Sequence, residues 1–306
     1  MKLLFCGSGW QPIVERIRTG LPPGVEIDIW DRRKTLASVV SDVDVLLPSN
    51  GRISREVIQA ATKLQLIQQP AAGVDGIDLE AATAKGIPVC NAPGTNHQAV
   101  AEAALLLMLS VARRLNEARV GFSHGEIGTP LGGELAGKQL GLVGYGKSGQ
   151  SLAKIAEAIG MKVSWTRSSS TFSEFADLLR NSDLISIHCP LTEKTRGMFD
   201  KEAFSLMKKG AILVNCARGP IVCRRSLEVA LANGDLGGVG LDVFWDEPWN
   251  PDDHLFHRND VEVLPHIGGS TAEAFSRIAK VVCDNVSRVL VGKNPLYCVN
   301  SPEKIC

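Results

Sequence analysis

The chain contains a glycine pattern that is typical of a turn holding a dinucleotide. Residues 140–149 read LGLVGYGKSG, so a short apolar run leads into Gly144, Gly146 and Gly149. The first glycine permits a tight turn, the second lets a pyrophosphate approach the backbone, and the third lets a helix pack close to its strand. An amphipathic helical pattern follows, and its start would direct N–H groups at a diphosphate. The pattern therefore predicts a dinucleotide site.

The end of the next apolar run indicates which dinucleotide is bound. An Asp or Glu at this place accepts from the ribose 2′-hydroxyl of NAD and repels a phosphate. This chain has Arg167 there, followed by three serines that begin with Ser168. A guanidinium with nearby hydroxyl donors suits a 2′-phosphate, because charge-assisted hydrogen bonds are stronger than neutral ones. We predict NADP(H), with NAD(H) as the alternative. An exposed basic loop with no role in cofactor binding is the less favoured explanation.

Three ionisable residues each follow a separate apolar run in the second half of the chain. They are Arg218, Glu247 and His266. An Arg can hold the carboxylate and carbonyl oxygen of a small oxo acid, and a His can move a proton. A carboxylate beside an imidazole favours its protonated form, which keeps a proton ready for carbonyl reduction. Each residue alone also fits an ordinary surface or core position, but their joint occurrence at strand ends favours a site.

The elements that must position these groups alternate along the whole chain. Short apolar runs alternate with helical patterns, which predicts an α/β fold with two doubly wound parallel sheets. A length of 306 residues also favours two domains. We predict a cofactor domain over residues 96–270, inserted in a substrate domain of residues 1–95 and 271–306. Two helix starts are predicted from capping boxes that pair Thr171 with Glu174 and Ser270 with Glu273.

Composition excludes several functional classes. Lys plus Arg and Asp plus Glu are both 33, so no net field favours nucleic acid or an anionic membrane. The longest apolar stretch, residues 103–112, is about half a membrane span. The start of the chain lacks a signal-peptide pattern, so we expect a cytoplasmic protein, or an organellar one if a transit segment has been removed. The eight cysteines form no C-x-x-C pair, which favours buried thiols and no metal site.

The chemistry-bearing segments together resemble the D-isomer-specific 2-hydroxyacid dehydrogenase family over nearly the whole chain. Besides the glycine pattern, the similar segments are HCPLTEKTRGMF at 188–199, VNCARGPIV at 214–222, GLDVFWDEP at 240–248, LPHIGGST at 264–271 and NAPGTNHQAVAE at 91–102. The resemblance implies a Rossmann cofactor domain inserted in a flavodoxin-like substrate domain. It also implies a homodimer formed through the cofactor domain.

The resemblance implies a role for each matching residue. His266 would be the general acid and base, Glu247 its partner, and Arg218 the group that binds the substrate. Backbone amides around Ala72, Gly73 and Val74 would hold the substrate carboxylate. The residues expected to bind the cofactor are Gly144, Gly146, Lys147, Ser148, Gly149, Arg167, Ser168, Pro190, Thr195, Cys216, Ala217, Asp242 and Gly268.

Two departures from the family pattern bear on specificity. The acidic residue usual after the second strand is Arg167 here, which puts a preference for NAD in doubt. The substrate loop often reads Gly-Val-Gly in the family, but residues 71–73 are Ala-Ala-Gly in this chain. His188 is interpreted as a structural or cofactor-adjacent residue and not as a catalytic one.

The expected activity is hydride transfer between NADP(H) and a small 2-oxo or 2-hydroxy acid of the glyoxylate or hydroxypyruvate type. A 3-phosphoglycerate dehydrogenase is an alternative, although no extra basic cluster for a phosphate is evident. A formate dehydrogenase of the same superfamily is less favoured, because it resembles a pattern with Gln where Glu247 stands. A dinucleotide-sensing corepressor, similar to the C-terminal-binding proteins, would keep the same three residues and stays open.

Overall fold

Two units, each built on a parallel sheet, make up the computed structural model, which describes residues 1–301. Unit 1 comprises Met1–Asn96 and the chain from Ser270 onward, and unit 2 comprises His97–Gly269. Unit 2 therefore interrupts unit 1 in the sequence. The predicted fold class, with two parallel-sheet α/β domains, is confirmed.

The strands and helices alternate in both units. Strands β1 to β5 belong to unit 1 and are Lys2–Phe5, Glu26–Ile29, Val45–Leu47, Leu66–Gln68 and Val89–Cys90. Strands β6 to β11 belong to unit 2 and are Gln139–Val143, Lys162–Thr166, Leu184–Ile187, Ala211–Asn215, Leu236–Leu241 and Val261–Val263. Helices α1 to α10 are Gln11–Gly20, Arg55–Ala60, Leu79–Ala84, His97–Ala112, Leu115–Ser123, Lys147–Ala158, Phe172–Asn181, Lys201–Leu206, Arg224–Ala232 and Ala272–Leu290. Helices α4 to α9 lie in unit 2.

The sheet of unit 1 has the strand order β2-β1-β3-β4-β5, and every pair of neighbours is parallel. Alternate side chains along β1 enter different cores, as the pleat requires. Leu3 packs with Ile17 of α1 and Val282 of α10, whereas Leu4 packs with Ile58 of α2. Helices thus cover both faces, and this order is the flavodoxin-like one.

The sheet of unit 2 has the order β11-β10-β9-β8-β6-β7, and it is also parallel throughout. One face packs against α4 and α6 around Leu140 and Leu142, and the other packs around Ile185 and Leu213. The strand order reverses direction between β6 and β8. Parallel sheets bind ligands outside the carboxyl ends of the strands at such a reversal.

The two predicted capping boxes have different outcomes. Thr171 caps α7: its hydroxyl accepts from the N–H of Glu174 at 3.2 Å, and the Glu174 carboxylate accepts from the N–H of Thr171 at 2.6 Å. The box assigned to Ser270 is wrong, because the N-cap of α10 is Thr271, whose hydroxyl accepts from Ala274. Two adjacent hydroxyl residues left the helix start ambiguous by one position.

Within residues 1–301, no helix combines the length and the apolar character that crossing a membrane requires.

Candidate active site

The turn between β6 and α6 leaves space at one of its three glycines. A side-chain carbon on Gly144 would lie 2.6 Å from the backbone nitrogen of Cys189, and Gly144 has a φ of +103°. A side-chain carbon on Gly149 would lie 2.4 Å from the carbonyl oxygen of Gly144. At Gly146 such a carbon would meet nothing within 4 Å. The first and third glycines are therefore needed for packing, and the second faces open space that fits a pyrophosphate.

The first turn of α6 is linked to the next strand through His188. Lys147 is the first residue of α6, and Gly146 caps the helix without a side-chain hydrogen bond. The hydroxyl of Ser148 lies 3.2 Å from Nδ1 of His188, and Nε2 of His188 lies 2.9 Å from the hydroxyl of Ser186. Burial lowers the pKa of His188 to about 4, so the ring is neutral at pH 7. This arrangement positions Ser148 and gives His188 a structural role.

An arginine and two aromatic rings form a cluster at the end of β7. Trp165 stacks on Tyr145 with ring centroids 4.2 Å apart, and the Arg167 guanidinium lies 5.4 Å from the Tyr145 centroid. The backbone N–H of Arg167 donates to the hydroxyl of Ser170 at 3.2 Å, which closes a tight loop around exposed Ser168. The loop places a cation and hydroxyl groups where the family pattern has an acid.

The loop after β8 carries two weaker candidates for cofactor binding. The Thr195 hydroxyl donates to the carbonyl oxygen of Pro190 at 2.7 Å and accepts from the N–H of Thr192 at 2.8 Å. These bonds close the loop on itself. The assignment of Pro190 and Thr195 to the cofactor stays a prediction.

Arg218 is positioned by a buried asparagine at the end of β9. The Asn215 side chain donates to the carbonyl oxygen of Arg218 at 2.8 Å and accepts from the N–H of Ala217 at 3.0 Å. The Arg218 guanidinium also donates to the carbonyl oxygen of Ala217 at 2.7 Å. A turn of fixed shape thus presents the half-buried Arg218 beyond the sheet.

Asp242 follows β10 and holds the loop that follows β11. Its two carboxylate oxygens accept from the N–H groups of Ile267 and Gly268, both at 2.8 Å. A side-chain carbon on Gly268 would lie 2.5 Å from that carboxylate, so the site requires glycine. Burial raises the pKa of Asp242 to about 6, although the two backbone hydrogen bonds oppose the shift. At pH 7 the carboxylate is mostly ionised and accepts both bonds.

His266 and Glu247 form a close pair at these two strand ends. Nδ1 of His266 lies 2.7 Å from a Glu247 carboxylate oxygen, and the other oxygen accepts from the N–H of Phe244 at 3.1 Å. His266 has a φ of 53°, a left-handed conformation, and the bonds from Asp242 to the next two residues stabilise it. The two side chains are about three-quarters buried, and the contact with Glu247 fixes the orientation of the imidazole.

Cys216 lies beside the same carboxylate, directly after β9. Burial raises the pKa of the Cys216 thiol well above its usual range, and the charge of Asp242 acts in the same direction. The thiol is therefore neutral, and it suits an apolar contact with a ring of the cofactor better than a nucleophilic role. Among residues 1–301, no group of three or more His, Cys, Asp or Glu could hold a metal ion.

In unit 1, the loop after β4 presents a row of N–H groups. Asn91 donates to the carbonyl oxygen of Ala72 at 2.8 Å, and Gln69 donates to that of Gly73 at 2.8 Å. The N–H groups of Ala72, Gly73 and Val74 donate to no atom of residues 1–301. Backbone N–H groups that donate to no protein acceptor can serve as donors to an anion.

Comparison with known proteins decides the family. Residues 105–268 match the family described as D-isomer specific 2-hydroxyacid dehydrogenase, NAD binding domain. A glyoxylate reductase from Thermococcus litoralis is 39% identical over 300 residues, which cover 90% of each chain. The chain belongs to the D-isomer-specific 2-hydroxyacid dehydrogenases. The predicted family is thereby confirmed, together with a nicotinamide dinucleotide as the cofactor of this dehydrogenase.

Two further relatives differ in how much of their length the dehydrogenase spans. A D-3-phosphoglycerate dehydrogenase from Methanocaldococcus jannaschii is 37% identical over 293 residues, but these cover only 56% of that protein. A crystal structure of a protein from Thermus thermophilus superposes with a TM-score of 0.87 and 35% identity, covering 98% of this chain and all of that one. The similarity to the Thermus thermophilus protein extends over both units.

Several positioning residues of this dehydrogenase had no assigned role in the sequence. Asn215 lies inside a quoted motif, yet its two hydrogen bonds depend on how the chain turns after β9. Gln69 and Asn91 act on a loop at the end of a different strand. The sequence signal for Gln69 is its position in a pair of polar residues with Gln68, directly after the apolar Leu66 and Ile67.

We expect replacement of His188 with Asn to weaken the pH dependence of stability. The folded pKa of about 4 lies below the ordinary 6.5, so the unfolded chain binds more protons and stability falls as the pH drops from 6.5 towards 4. Between pH 7 and pH 5, the native protein should lose about 2 kcal/mol more than the variant. Asp242 titrates in the opposite direction, but it is present in both proteins.

Urea unfolding at the two pH values, followed by a spectroscopic signal of unit 2, measures this difference in the free energy of unfolding. The matched control is His257→Asn, which replaces an exposed histidine of the same unit. An unchanged pH dependence in His188→Asn would contradict the neutral buried imidazole.

Proposed function

We propose that this dehydrogenase reduces a small 2-oxo acid of the glyoxylate or hydroxypyruvate type and prefers NADPH. The observation that carries the proposal is the His266–Glu247 pair at 2.7 Å, beyond the same sheet edge as Arg218 and the glycine turn. A proton donor, a cation and a cofactor turn beyond one edge suit reduction of an anionic carbonyl compound. The glycine turn, Arg218, Glu247 and His266 follow strands β6, β9, β10 and β11, respectively.

Each residue has a distinct task in this proposal. When bound, the nicotinamide supplies the hydride that reduces the carbonyl carbon. His266 donates a proton from Nε2 to the carbonyl oxygen, because Nδ1 is held by Glu247. Glu247 stabilises the imidazolium before transfer, and Arg218 binds the negative oxygens of the substrate. In the reverse direction, His266 accepts the proton of the hydroxy acid.

The loop of unit 1 supports the same substrate class. Its N–H groups at Ala72, Gly73 and Val74 suit a carboxylate, and Asn91 and Gln69 hold the carbonyl oxygens of Ala72 and Gly73 in place. We therefore propose that these amides bind the substrate carboxylate.

The choice of substrate is supported by sequence similarity as well as by chemistry. The glyoxylate reductase relative is 39% identical over 300 residues. Glu247 contacts His266, the proposed proton donor. A carboxylate in that place suits a proton-donating His266 better than the Gln of the formate dehydrogenase pattern. The corepressor alternative would be favoured only if no small 2-oxo acid is turned over.

Replacement of His266 with Ala should lower turnover at least about 100-fold, because general acid catalysis contributes about 10²–10⁴-fold. Affinity for the cofactor should stay close to that of the native protein, since the ring acts on the substrate. Steady-state kinetics with glyoxylate and hydroxypyruvate, together with fluorescence titration of NADPH, measure both effects. Exposed His257, replaced with Ala, is the matched control. Normal turnover in the His266 variant would refute its role.

Replacement of Arg167 with Asp should reverse the cofactor preference. The change removes a cation and adds a charge that repels a 2′-phosphate, so kcat/KM with NADPH should fall by at least about tenfold more than with NADH. Arg180→Asp, on the exposed face of α7, should change neither value. Equal losses with both cofactors would remove the argument for phosphate binding.

We also propose a homodimer that forms through unit 2. The segment after α4 exposes three large apolar side chains, Phe122 at 86%, Ile127 at 96% and Leu131 at 87%. Such exposure is typical of a surface that a second copy covers. Light scattering should give twice the mass of one chain, and Phe122→Asp should shift it towards the monomer. Phe172→Asp, also exposed, should stay dimeric; a native monomer would contradict the proposal.

A further inference from the structure

Cys90 and Cys298 face each other on two paired segments of unit 1. Cys90 ends β5, and Cys298 forms an antiparallel bridge with it. The flanking residues make the hydrogen bonds: Val299 donates to Val89 at 2.8 Å, and Asn91 donates to Tyr297 at 3.2 Å. The two cysteines are thus a non-hydrogen-bonded pair, in which the Cα atoms lie about 4.5 Å apart and side chains are closest.

This pairing matches the requirement for a disulfide. Disulfides join cysteines whose Cα atoms are about 4.4–6.8 Å apart, and a non-hydrogen-bonded pair directs both side chains to one face of the strands. Both cysteines are free thiols, and the Cys298 thiol donates to the carbonyl oxygen of Asn300 at 3.1 Å. We propose that Cys90 and Cys298 form a reversible disulfide in the presence of a peroxide. The inference does not depend on the proposed activity.

The two thiols differ in access to the oxidant. Cys298 is exposed, whereas Cys90 is buried. Burial raises the pKa of the Cys90 thiol to about 12, and the nearby Cys298 shifts it in the same direction. Cys298 therefore meets the oxidant first, and Cys90 reacts with it afterwards.

The reaction balances with hydrogen peroxide as the oxidant. The Cys298 sulfur attacks one peroxide oxygen, the O–O bond breaks, and a sulfenic acid and one water form. The Cys90 sulfur then bonds to the Cys298 sulfur, and the hydroxyl leaves with the Cys90 proton as a second water. The two thiols lose two electrons and two protons in total. A dithiol reductant reverses the step by exchange.

The disulfide would make an existing attachment covalent. The Asn300 side chain accepts from the N–H of Val89 at 2.7 Å and donates to the carbonyl oxygen of Ile87 at 2.9 Å. On the other side, Asn285 of α10 exchanges two hydrogen bonds with Leu296, at 2.9 and 2.7 Å. These bonds hold residues 296–300 beside β5, where Cys298 pairs with Cys90.

Peptide mapping without reduction tests the proposal. The folded protein is treated with hydrogen peroxide, its remaining thiols are alkylated, and it is digested with trypsin. Cleavage after lysine and arginine places Cys90 in peptide 86–113, Cys298 in peptide 294–304 and Cys306 in peptide 305–306. We expect peptides 86–113 and 294–304 to be recovered joined, and to separate after dithiothreitol.

Two variants serve as controls. Cys298→Ser should leave Cys90 alkylated after denaturation, because its partner is missing. Cys223→Ser removes another partly exposed thiol and should form the cross-link as the native protein does. Absence of the joined peptide in the oxidised native protein, or a cross-link of Cys90 to Cys306 instead, would overturn the proposal.

Discussion

The hydrogen bonds between the Asp242 carboxylate and the two amides after His266 hold the candidate site together. They connect the end of β10 to the loop after β11, next to the contact between Glu247 and His266. Asp242 also donates its own N–H to the carbonyl oxygen of Asn215, so the end of β9 is joined to the same network. A buried carboxylate without such partners would be costly, and the bonds offset its desolvation. Glu247 and His266 therefore meet in a defined geometry.

The parallel sheet of unit 2 explains why residues so far apart in sequence come together. Each strand runs in the same direction, so each loop after a strand emerges at the same edge. The glycine turn, the Arg218 turn and the His266 loop follow β6, β9 and β11 in this way. The chemistry of the site therefore depends on the loops, and the strands supply a common origin for them.

Unit 1 uses the same principle with different groups. The loop after β4 presents N–H groups and no ionisable side chain among residues 71–74, and its shape comes from Gln69 and Asn91 at the ends of β4 and β5. Cys90 lies one residue before Asn91, so the strand that supports this loop is also the strand that carries the paired cysteines. Strand β5 therefore supports both the loop after β4 and the C-terminal segment that contains Cys298.

The amino-acid sequence alone determined the fold class and the glycine turn, and it predicted Arg218, Glu247 and His266 as the residues of the site. These features are local, because a strand, a turn and a helix each have a pattern that can be recognised within about twenty residues. The role of Asn215, the two amides held by Asp242, the neutral state of His188 and the pairing of Cys90 with Cys298 were decided by tertiary structure. Each depends on groups from different strands, and no spacing along the chain reports which strands become neighbours or how deeply a side chain is buried.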